Sequence, residues 1–298
     1  MSASTFDYEH FTDDLGPAKV LHIYEPSSGL KAIVVVDNVA CGPSIGGIRM
    51  AADVTTEEVF RLARAMTLKN AGAGLPHGGG KAGIIADPGT ADRERLIRAF
   101  AQAIRDLTDY IPGPDMGTDE SCMAWILDEI GRSVGLPRVL GGIPLDEIGA
   151  TGYGLVACAE VAVDFIDLDL SGATVAIEGY GNVGRPAARF LAEKGVKLVA
   201  ASDSKGAIHD PDGIDLEALN AAKDGSGRVT AYGGSEITNE ELFSVPCDIL
   251  IPAARPDCIR EDNVDSIQAK LVLQGANIPA TAAAEARLHE KGILNLSL

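Results

Sequence analysis

Long apolar runs are missing from the sequence: none approaches the roughly 20 residues that a membrane-spanning helix needs. The N-terminus also lacks the basic and apolar segments of a secretory signal peptide. The five cysteines, at positions 41, 122, 158, 247 and 258, include no C-x-x-C pair, which predicts reduced thiols rather than a disulfide framework. These absences argue against a membrane or secreted protein, and we expect a soluble cytoplasmic one.

Positive charge and histidine are also scarce. The chain carries 25 Lys and Arg against 43 Asp and Glu, a formal charge of -18, which disfavours nucleic acid or an anionic membrane as a partner. The five histidines are widely spaced and show no grouping typical of metal ligands, so we expect no metal. With 298 residues, of which 46% are hydrophobic, the chain has material for two globular domains.

The first half predicts strands and helices in alternation, which is the pattern of an α/β domain. A polar N-terminal arm or helix is predicted over residues 1–25, followed by a strand at 30–37, a loop at 42–47 and a helix at about 56–70. A glycine loop at 78–80 then leads into a strand at 82–86 and a helix capped by Thr90. The last elements are a non-helical segment at 110–117 and a helix containing Met123, Ile126, Leu127 and Ile130.

Two lysines flank the glycine loop in this half. Lys69 follows a capping box formed by Thr55 and Glu58, and it falls on the apolar row of its helix. Lys81 directly follows three glycines, which leave the backbone open to close approach by another molecule. Taken alone, Lys69 is typical of a lysine at a helix end whose side chain reaches solvent. Taken alone, the glycine triplet before Lys81 is typical of a flexible turn. Together they suggest a pocket for an anion and a base.

The second half contains a dinucleotide-binding pattern. We place the hinge in the glycine-rich segment 131–150, with a substrate-binding and oligomerisation domain at 1–140 and a Rossmann domain at 141–298. A strand at 173–178, the motif G-Y-G-N-V-G at 179–184, a helix and a second strand ending near Asp203 form the expected context. Asp203 favours NAD over NADP, although Lys205 leaves NADP use open. Two further strands, at 247–252 and 270–274, are each followed by small residues.

At this point the sequence resembles the family of amino acid dehydrogenases that act on glutamate, leucine, phenylalanine and valine. The similar segments are G-P-S-I-G-G-I-R-M (42–50), M-T-L-K-N (66–70), L-P-H-G-G-G-K (75–81), G-P-D-M-G (113–117), A-T-G-Y-G (150–154), G-Y-G-N-V-G (179–184), S-D-S-K-G (202–206) and Q-G-A-N (274–277). The first half is more similar to leucine dehydrogenases and the second to glutamate dehydrogenases.

The resemblance implies NAD(P)-dependent oxidative deamination of an L-amino acid to a 2-oxo acid and ammonia. Lys69 would bind the substrate α-carboxylate, Lys81 would activate water as a base, and Asp115 would exchange protons with the amino group. A lysine serves as a base near neutral pH only if burial or another cation lowers its pKa, and Lys69 is the candidate for that cation. Asp115 after Pro114 is equally typical of an ordinary turn.

The same resemblance assigns the remaining site residues. The implied substrate contacts are Ile45, Gly46, Gly47 and Met66, and the implied cofactor contacts are Thr151, Gly179, Gly181, Asn182, Val183, Gly184, Asp203, Ala253, Ala254 and Asn277. Glutamate-specific members carry a lysine at the position of Ile45, which predicts a leucine-type or valine-type substrate here. The alternative is an isoleucine that only packs the loop and does not meet the ligand.

Two alternatives to an apolar amino acid dehydrogenase stay open. One is a glutamate dehydrogenase, in case Ile45 does not meet the substrate. The other is a catalytically weak or inactive NAD-binding subunit that pairs with a longer relative, because the chain ends before the family's C-terminal helices. The family forms hexamers or octamers, so we expect a homo-oligomer.

Overall fold

The computed structural model describes residues 11–297, apart from the side chain of Asp146. The chain divides into two units, with the boundary between Pro144 and Leu145. Strands alternate with helices in both units, so the α/β class predicted from the sequence is confirmed.

The first unit contains a five-stranded mixed sheet in the order β1-β2-β4-β3-β5. Strands β3, β4 and β5 run parallel to one another, whereas β2 pairs antiparallel with β4, and β1 pairs antiparallel with β2 at the edge of the sheet. The described residues of this unit also form three helices of eleven residues or more. The elements are β1 (Lys19–Glu25), β2 (Leu30–Val36), β3 (Ser44–Ala51), α1 (Thr56–Gly72), β4 (Gly78–Ile85), α2 (Arg93–Ala103), β5 (Tyr110–Pro114) and α3 (Glu120–Ile130).

Alternate residues of β2 face two separate cores, as the period of a strand requires. Ile33 and Val35 pack with Val59 and Phe60 of α1 on one face of the sheet. On the opposite face, four apolar residues of β2 pack with α2 and α3. The strand contributes Leu30, Ala32, Val34 and Val36 to this cluster, and the helices contribute Leu96, Ile97, Phe100, Met123 and Ile126. The sheet is therefore buried on both sides, and its central strands are shielded from water.

Four predictions for this unit are wrong. Residues 19–25 form strand β1, while residues 1–10 lie outside the described part of the chain. The predicted loop at 42–47 enters β3 at Ser44, and the predicted glycine loop at 78–80 is the start of β4. Helix α2 begins at Arg93 rather than after Thr90, because the Thr90 hydroxyl accepts a hydrogen bond from the backbone N–H of Asp92 in a turn.

Glycine has a low propensity for strands, but the helix that covers this sheet lies so close to β4 that Gly79 has no room for a side chain. A β-carbon added at Gly79 would lie 2.1 Å from the backbone nitrogen of Thr67 in α1. The same helix is held by hydrogen bonds from Thr67 to Asp37 (2.6 Å) and from Asn70 to the carbonyl of Gly78 (2.7 Å). Gly79 therefore accommodates the protein's own helix, while Gly78 and Gly80 accommodate the carbonyl of Asn38 and the side chain of Ser44. These contacts override the low strand propensity of glycine.

The second unit contains a seven-stranded sheet in the order β12-β11-β10-β6-β7-β8-β9. Five strands are parallel, and β8 and β9 extend the sheet as antiparallel strands. The elements are α4 (Leu145–Ile148), α5 (Ala150–Ala162), β6 (Thr174–Glu178), α6 (Gly184–Ala192), β7 (Lys197–Asp203), β8 (Gly206–His209), α7 (Leu216–Ser226), β9 (Ser235–Ile237), β10 (Ile249–Pro252), β11 (Leu271–Gln274), α8 (Ala282–Glu290) and β12 (Leu294–Ser297). The chain reverses its direction of winding at β6, because β7 lies on one side of it and β10 on the other.

Within residues 11–297, no helix is long and apolar enough to cross a membrane. The same part of the chain contains no group of three or more His, Cys, Asp or Glu side chains that could hold a metal ion.

The close packing of α1 on β4 leads to a stability prediction. We expect Gly79→Ala to lower the free energy of unfolding by about 1–3 kcal/mol, because the added carbon meets backbone atoms that cannot move aside. Urea unfolding followed by circular dichroism measures the change. Gly72→Ala is the matched control, since no atom lies within 4 Å of its added carbon, and it should leave stability unchanged or slightly raised. Equal stability of the two variants would contradict this account of the glycine run.

Candidate active site

Lys69 lies near the end of α1, on the side of the helix that faces the sheet. The helix starts as predicted, with the Thr55 hydroxyl accepting a hydrogen bond from the backbone N–H of Glu58 (3.2 Å). Lys69 is half-buried, and burial together with the charge of Lys81 lowers its pKa, while Asp115 opposes the shift. The two lysines therefore interact electrostatically, as a shared pocket requires.

Lys81 lies inside strand β4, paired with Val35 of β2, and only 3% of its surface is exposed. Its ammonium nitrogen lies 3.2 Å from Oδ2 of Asp115. Burial lowers the pKa of Lys81, Asp115 opposes this, and Arg49 lowers the pKa further. A lysine in this environment gives up its proton more readily than one at the surface, which is what a general base near neutral pH needs.

Asp115 directly follows β5 in a loop that hydrogen bonds hold in place. The Thr118 hydroxyl accepts from the backbone N–H of Asp115 (2.9 Å) and donates to the carbonyl of Ile48 (2.8 Å). Burial alone would raise the pKa of Asp115, but Lys81 and Arg49 outweigh it and lower the pKa. The carboxylate therefore stays charged although it is buried, and its contacts hold it in place, unlike the side chain of an ordinary exposed turn aspartate.

Arg49 is a site residue that the sequence interpretation missed. It lies in β3 with 2% of its side chain exposed, donates from Nε to Asp115 Oδ2 (2.9 Å), and donates from Nη1 to Glu58 Oε1 (2.5 Å). Arg49, and not Lys69, is the cation that contributes most to lowering the pKa of Lys81. The motif G-G-I-R-M would have revealed it only if 44–51 had been interpreted as a buried strand, where an arginine is exceptional.

The implied substrate contacts lie beside these charges. Ile45 pairs with Gly79 of β4 and with Ile111 of β5, and it is half-buried. The carbonyl of Gly46 accepts a hydrogen bond from the Tyr110 hydroxyl (2.9 Å). A β-carbon added at Gly47 would lie 2.6 Å from the β-carbon of Asp115. Met66, also half-buried, precedes Lys69 by one turn of α1.

The five charged groups form one cluster with one more positive than negative charge. Its cations are Lys69, Lys81 and Arg49, and its anions are Asp115 and Glu58. A single carboxylate of a bound ligand would balance the cluster, and half-buried Lys69 is the cation with no ion pair to these acids among the contacts described above. This arrangement is suited to a small molecule that carries a carboxylate.

The glycine motif of the second unit lies between β6 and α6, as predicted. A β-carbon at Gly184 would lie 2.2 Å from the carbonyl oxygen of Gly179, whereas a β-carbon at Gly181 would meet no atom within 4 Å. Gly184 therefore allows the helix to pack on the strand, and Gly181 leaves open space above the loop. A cavity of about 420 Å³ borders this loop at Tyr180, Gly181 and Asn182.

The other implied cofactor residues gather at the carboxyl ends of neighbouring strands. Ala253 and Ala254 follow β10, and the N–H of Ala254 donates to the Glu178 carboxylate at the end of β6 (3.0 Å). Asn277 follows β11, and Val183 immediately precedes α6. Thr151 is exposed in the first turn of α5, next to Gly152, whose backbone packs on Pro186 and Ala187 of α6. The carboxyl ends of strands at a reversal of winding are where open α/β sheets bind ligands.

Asp203 lies at the end of β7, but its carboxylate already has three donors. Oδ2 accepts from Lys223 Nζ (2.7 Å) and from the backbone N–H of Val229 (2.8 Å), and Oδ1 accepts from the backbone N–H of Lys205 (2.8 Å). Burial would raise the pKa of Asp203, but these donors lower it, Lys223 foremost. Lys223 was missed from the sequence because nothing in its spacing on α7 connects it to Asp203.

Comparisons with known proteins find similar sequences for both units of the chain. A family model described as Glutamate/Leucine/Phenylalanine/Valine dehydrogenase matches residues 141–297, and one described as Glu/Leu/Phe/Val dehydrogenase, dimerisation domain, matches residues 17–132. Glutamate dehydrogenase of Aeropyrum pernix is 44% identical over 275 residues, which are 87% of this chain and 66% of that protein. The catabolic NAD-specific glutamate dehydrogenase RocG of Bacillus subtilis is 41% identical over 86% of this chain and 64% of its own length.

A solved structure gives the same result for the fold. The hetero-hexameric glutamate dehydrogenase from Thermus thermophilus, in a leucine-bound form, superposes with a TM-score of 0.84 at 31% identity, and the match covers 94% of this chain and 72% of that one. The chain thus spans about two thirds of the length of the curated relatives it matches.

The different surroundings of the two glycines in the motif predict separable effects. We expect Gly181→Ala to leave the urea midpoint unchanged but to weaken NADH binding by about tenfold or more, since its added carbon would enter the open space in which the motif predicts the dinucleotide. Gly184→Ala should instead lower the urea midpoint, because its carbon clashes with the backbone of Gly179. NADH fluorescence titration and urea unfolding measure the two effects. Unchanged NADH affinity in folded Gly181→Ala would contradict the predicted position of the cofactor.

Proposed function

The chain belongs to the Glutamate/Leucine/Phenylalanine/Valine dehydrogenase family, and from this we propose that it catalyses the NAD-dependent oxidative deamination of an L-amino acid, with L-glutamate as the main substrate. The products are the 2-oxo acid and ammonia. One observation carries the proposal most strongly: a buried lysine of lowered pKa lies 3.2 Å from a fixed carboxylate, with a second, half-buried lysine nearby.

Each charged side chain has a distinct task in this proposal. Lys69 binds the α-carboxylate of the substrate as a fixed cation. Asp115 accepts a proton from the substrate amino group and returns one to the departing ammonia. Lys81, in its neutral form, removes a proton from the water that attacks the iminium carbon. When bound, the nicotinamide cofactor would supply the hydride-accepting chemistry for Cα, and the glycine motif at 179–184 would hold its dinucleotide. The sheet buried on both faces keeps bulk water away from Lys81 and so strengthens its interactions with the substrate charges.

NAD is the proposed cofactor. Relatives from Bacillus subtilis and Staphylococcus aureus are named as NAD-specific enzymes. In this proposal Asp203, at the end of β7, is the acid that meets the ribose hydroxyls. Lys223 offsets part of that negative charge, so the repulsion of a 2'-phosphate is weaker than Asp203 alone would produce. We also propose assembly into a homo-oligomer, because the N-terminal family model is described as a dimerisation domain and the Thermus thermophilus relative is hetero-hexameric.

The names of the relatives favour glutamate over the leucine-type substrate predicted from Ile45. An apolar L-amino acid stays the second candidate for one reason, the position of Ile45. This residue lies in β3 beside the strand that carries Lys81, where it would offer no charge to a second carboxylate. The two candidates differ in whether the side-chain carboxylate of the substrate finds a cation elsewhere.

Initial rates of NADH oxidation with ammonia and a 2-oxo acid separate these candidates. We expect a higher kcat/KM with 2-oxoglutarate than with 4-methyl-2-oxopentanoate. The reverse order would establish the apolar substrate, and Ile45→Lys should then shift the preference toward 2-oxoglutarate. Retained NADH binding with no turnover of either acid would reject the catalytic proposal and support a non-catalytic, NAD-binding subunit.

The assignment of Lys81 as the base predicts a loss of turnover without a loss of cofactor affinity. We expect Lys81→Ala to lower kcat by about 10³-fold or more, which is within the range that general-base catalysis contributes, while NADH affinity stays within about twofold. Lys31→Ala is the control, since Lys31 is an exposed residue of the same sheet. Near-normal turnover by Lys81→Ala would reject this assignment.

A further inference from the structure

We propose that Arg49 and Glu58 form a positioning pair that fixes the carboxylate of Asp115 and places a permanent positive charge beside Lys81. Neither residue needs to touch the substrate in this role. The inference rests on the proposed function for its catalytic meaning, and on the contacts of the first unit for its geometry.

Three elements are connected through the guanidinium group of Arg49. Nη1 donates to Glu58 Oε1 on α1 (2.5 Å), and Nε donates to Asp115 Oδ2 after β5 (2.9 Å). Asp115 Oδ2 in turn contacts Lys81 Nζ on β4 (3.2 Å). A chain of charge-assisted contacts thus runs from α1 through β3 to the predicted base. The planar fork of arginine donors suits two carboxylates, which a single ammonium group could not bridge in the same way.

Burying an arginine in a sheet carries a large desolvation penalty, so it contributes little net stability. Arg49 is 2% exposed, and apolar residues of similar volume often stabilise a protein interior as well as a buried ion pair does. Glu58 is 28% exposed, so the pair reaches from partly solvated α1 into the interior. Stability alone therefore does not account for the arrangement, whereas orientation of a reacting carboxylate does.

The described contacts of the Asp115 carboxylate fall on one of its two oxygens. The hydrogen bond from Arg49 and the close contact with Lys81 both involve Oδ2. The backbone N–H is held by Thr118, so rotation of the side chain would break the Arg49 hydrogen bond. This leaves Oδ1 as the oxygen for proton exchange with the substrate amino group, and Arg49 keeps it in place.

The charges that act on Lys81 come from every element around it. Arg49 lies in β3, Asp115 directly follows β5, and Glu58 and Lys69 lie in α1. The partner of Lys81 in β2 is the uncharged Val35, and the nearby hydroxyl of Tyr110 in β5 is buried, with a raised pKa that keeps it neutral. After burial and Asp115, Arg49 lowers the pKa of Lys81 and Glu58 raises it. The guanidinium does not lose its proton at any relevant pH, so its effect is constant across the working range.

Removing the charge of Arg49 and removing the charge of Glu58 should therefore shift the pKa of Lys81 in opposite directions. In Arg49→Met the lost positive charge raises the pKa of Lys81, and the acidic limb of kcat/KM for amino acid oxidation moves to higher pH. In Glu58→Gln the lost negative charge lowers this pKa, and the limb moves to lower pH. We expect shifts of about one pH unit, the size produced by one charge at a separation of several ångströms.

A titration of Lys81 that needs no turnover tests the pair independently of the proposed function. The chain contains ten lysines, so the full-length protein labelled with [ε-13C]lysine should give a resolvable Lys81 resonance, assigned with Lys81→Arg. Arg98→Met is the control, because Arg98 also pairs with acids but lies partly exposed between α2 and α3. Arg98→Met should change neither the titration of the Lys81 resonance nor the pH profile of kcat/KM.

Opposite shifts of the Lys81 resonance in Arg49→Met and Glu58→Gln would support the pair, even if the wild-type protein proved inactive and the proposed function failed. Unchanged titration, or shifts of the same sign, would overturn the inference whatever the activity. Arg49→Lys adds a second criterion: it should restore the pH profile but leave kcat lowered, because one ammonium cannot hold both carboxylates. If Arg49→Met does not fold, Glu58→Gln and Arg49→Lys still decide the outcome.

Discussion

The burial of one ammonium group, that of Lys81, is the constraint on which the first unit depends. A charged lysine inside a sheet is costly unless other groups compensate for its lost hydration. Asp115 lies close enough to do so, whereas Arg49 holds the Asp115 carboxylate and disfavours the charged form of Lys81. The close approach of α1 at Gly79 brings Lys69 and Glu58 to the same place, and Thr118 holds the loop of Asp115. Backbone packing and site electrostatics are thus parts of one arrangement.

The second unit solves a different problem, since it must leave room for a ligand instead of enclosing a charge. Small residues border the reversal of winding at β6, and Gly181 keeps the space above its loop free of protein atoms. At the end of β7, the pairing of Asp203 with Lys223 makes this corner less acidic than the sequence suggests. The chemistry of the proposed reaction is therefore divided by unit: fixed charges in the first, and open space for a dinucleotide in the second.

The sequence predicts those features that have a local cause. Amphipathic period identified the three long helices of the first unit, the strand-glycine-helix order identified the dinucleotide motif, and the position of Lys69 on an apolar row indicated its burial. The helices at Leu216–Ser226 and Ala282–Glu290 were not predicted. The errors arose where tertiary packing overrides local preference. Glycines at 46–47 and 78–80 suggest loops, yet a neighbouring strand and α1 occupy the space that side chains would fill. Since 42–47 was interpreted as a loop, the strand that begins there and continues to Ala51 went unnoticed, together with its buried arginine. Lys223 pairs across 20 residues with no local pattern.

A crystal structure of the protein with bound 2-oxoglutarate tests the central claim most directly. The charge cluster predicts the α-carboxylate within hydrogen-bonding distance of Lys69 Nζ, and the keto carbon facing Lys81 with Asp115 beside it. The Arg49 guanidinium should still bridge Asp115 and Glu58 in that complex. A 2-oxo acid bound away from these side chains, with Lys69 directed to solvent, would contradict the account.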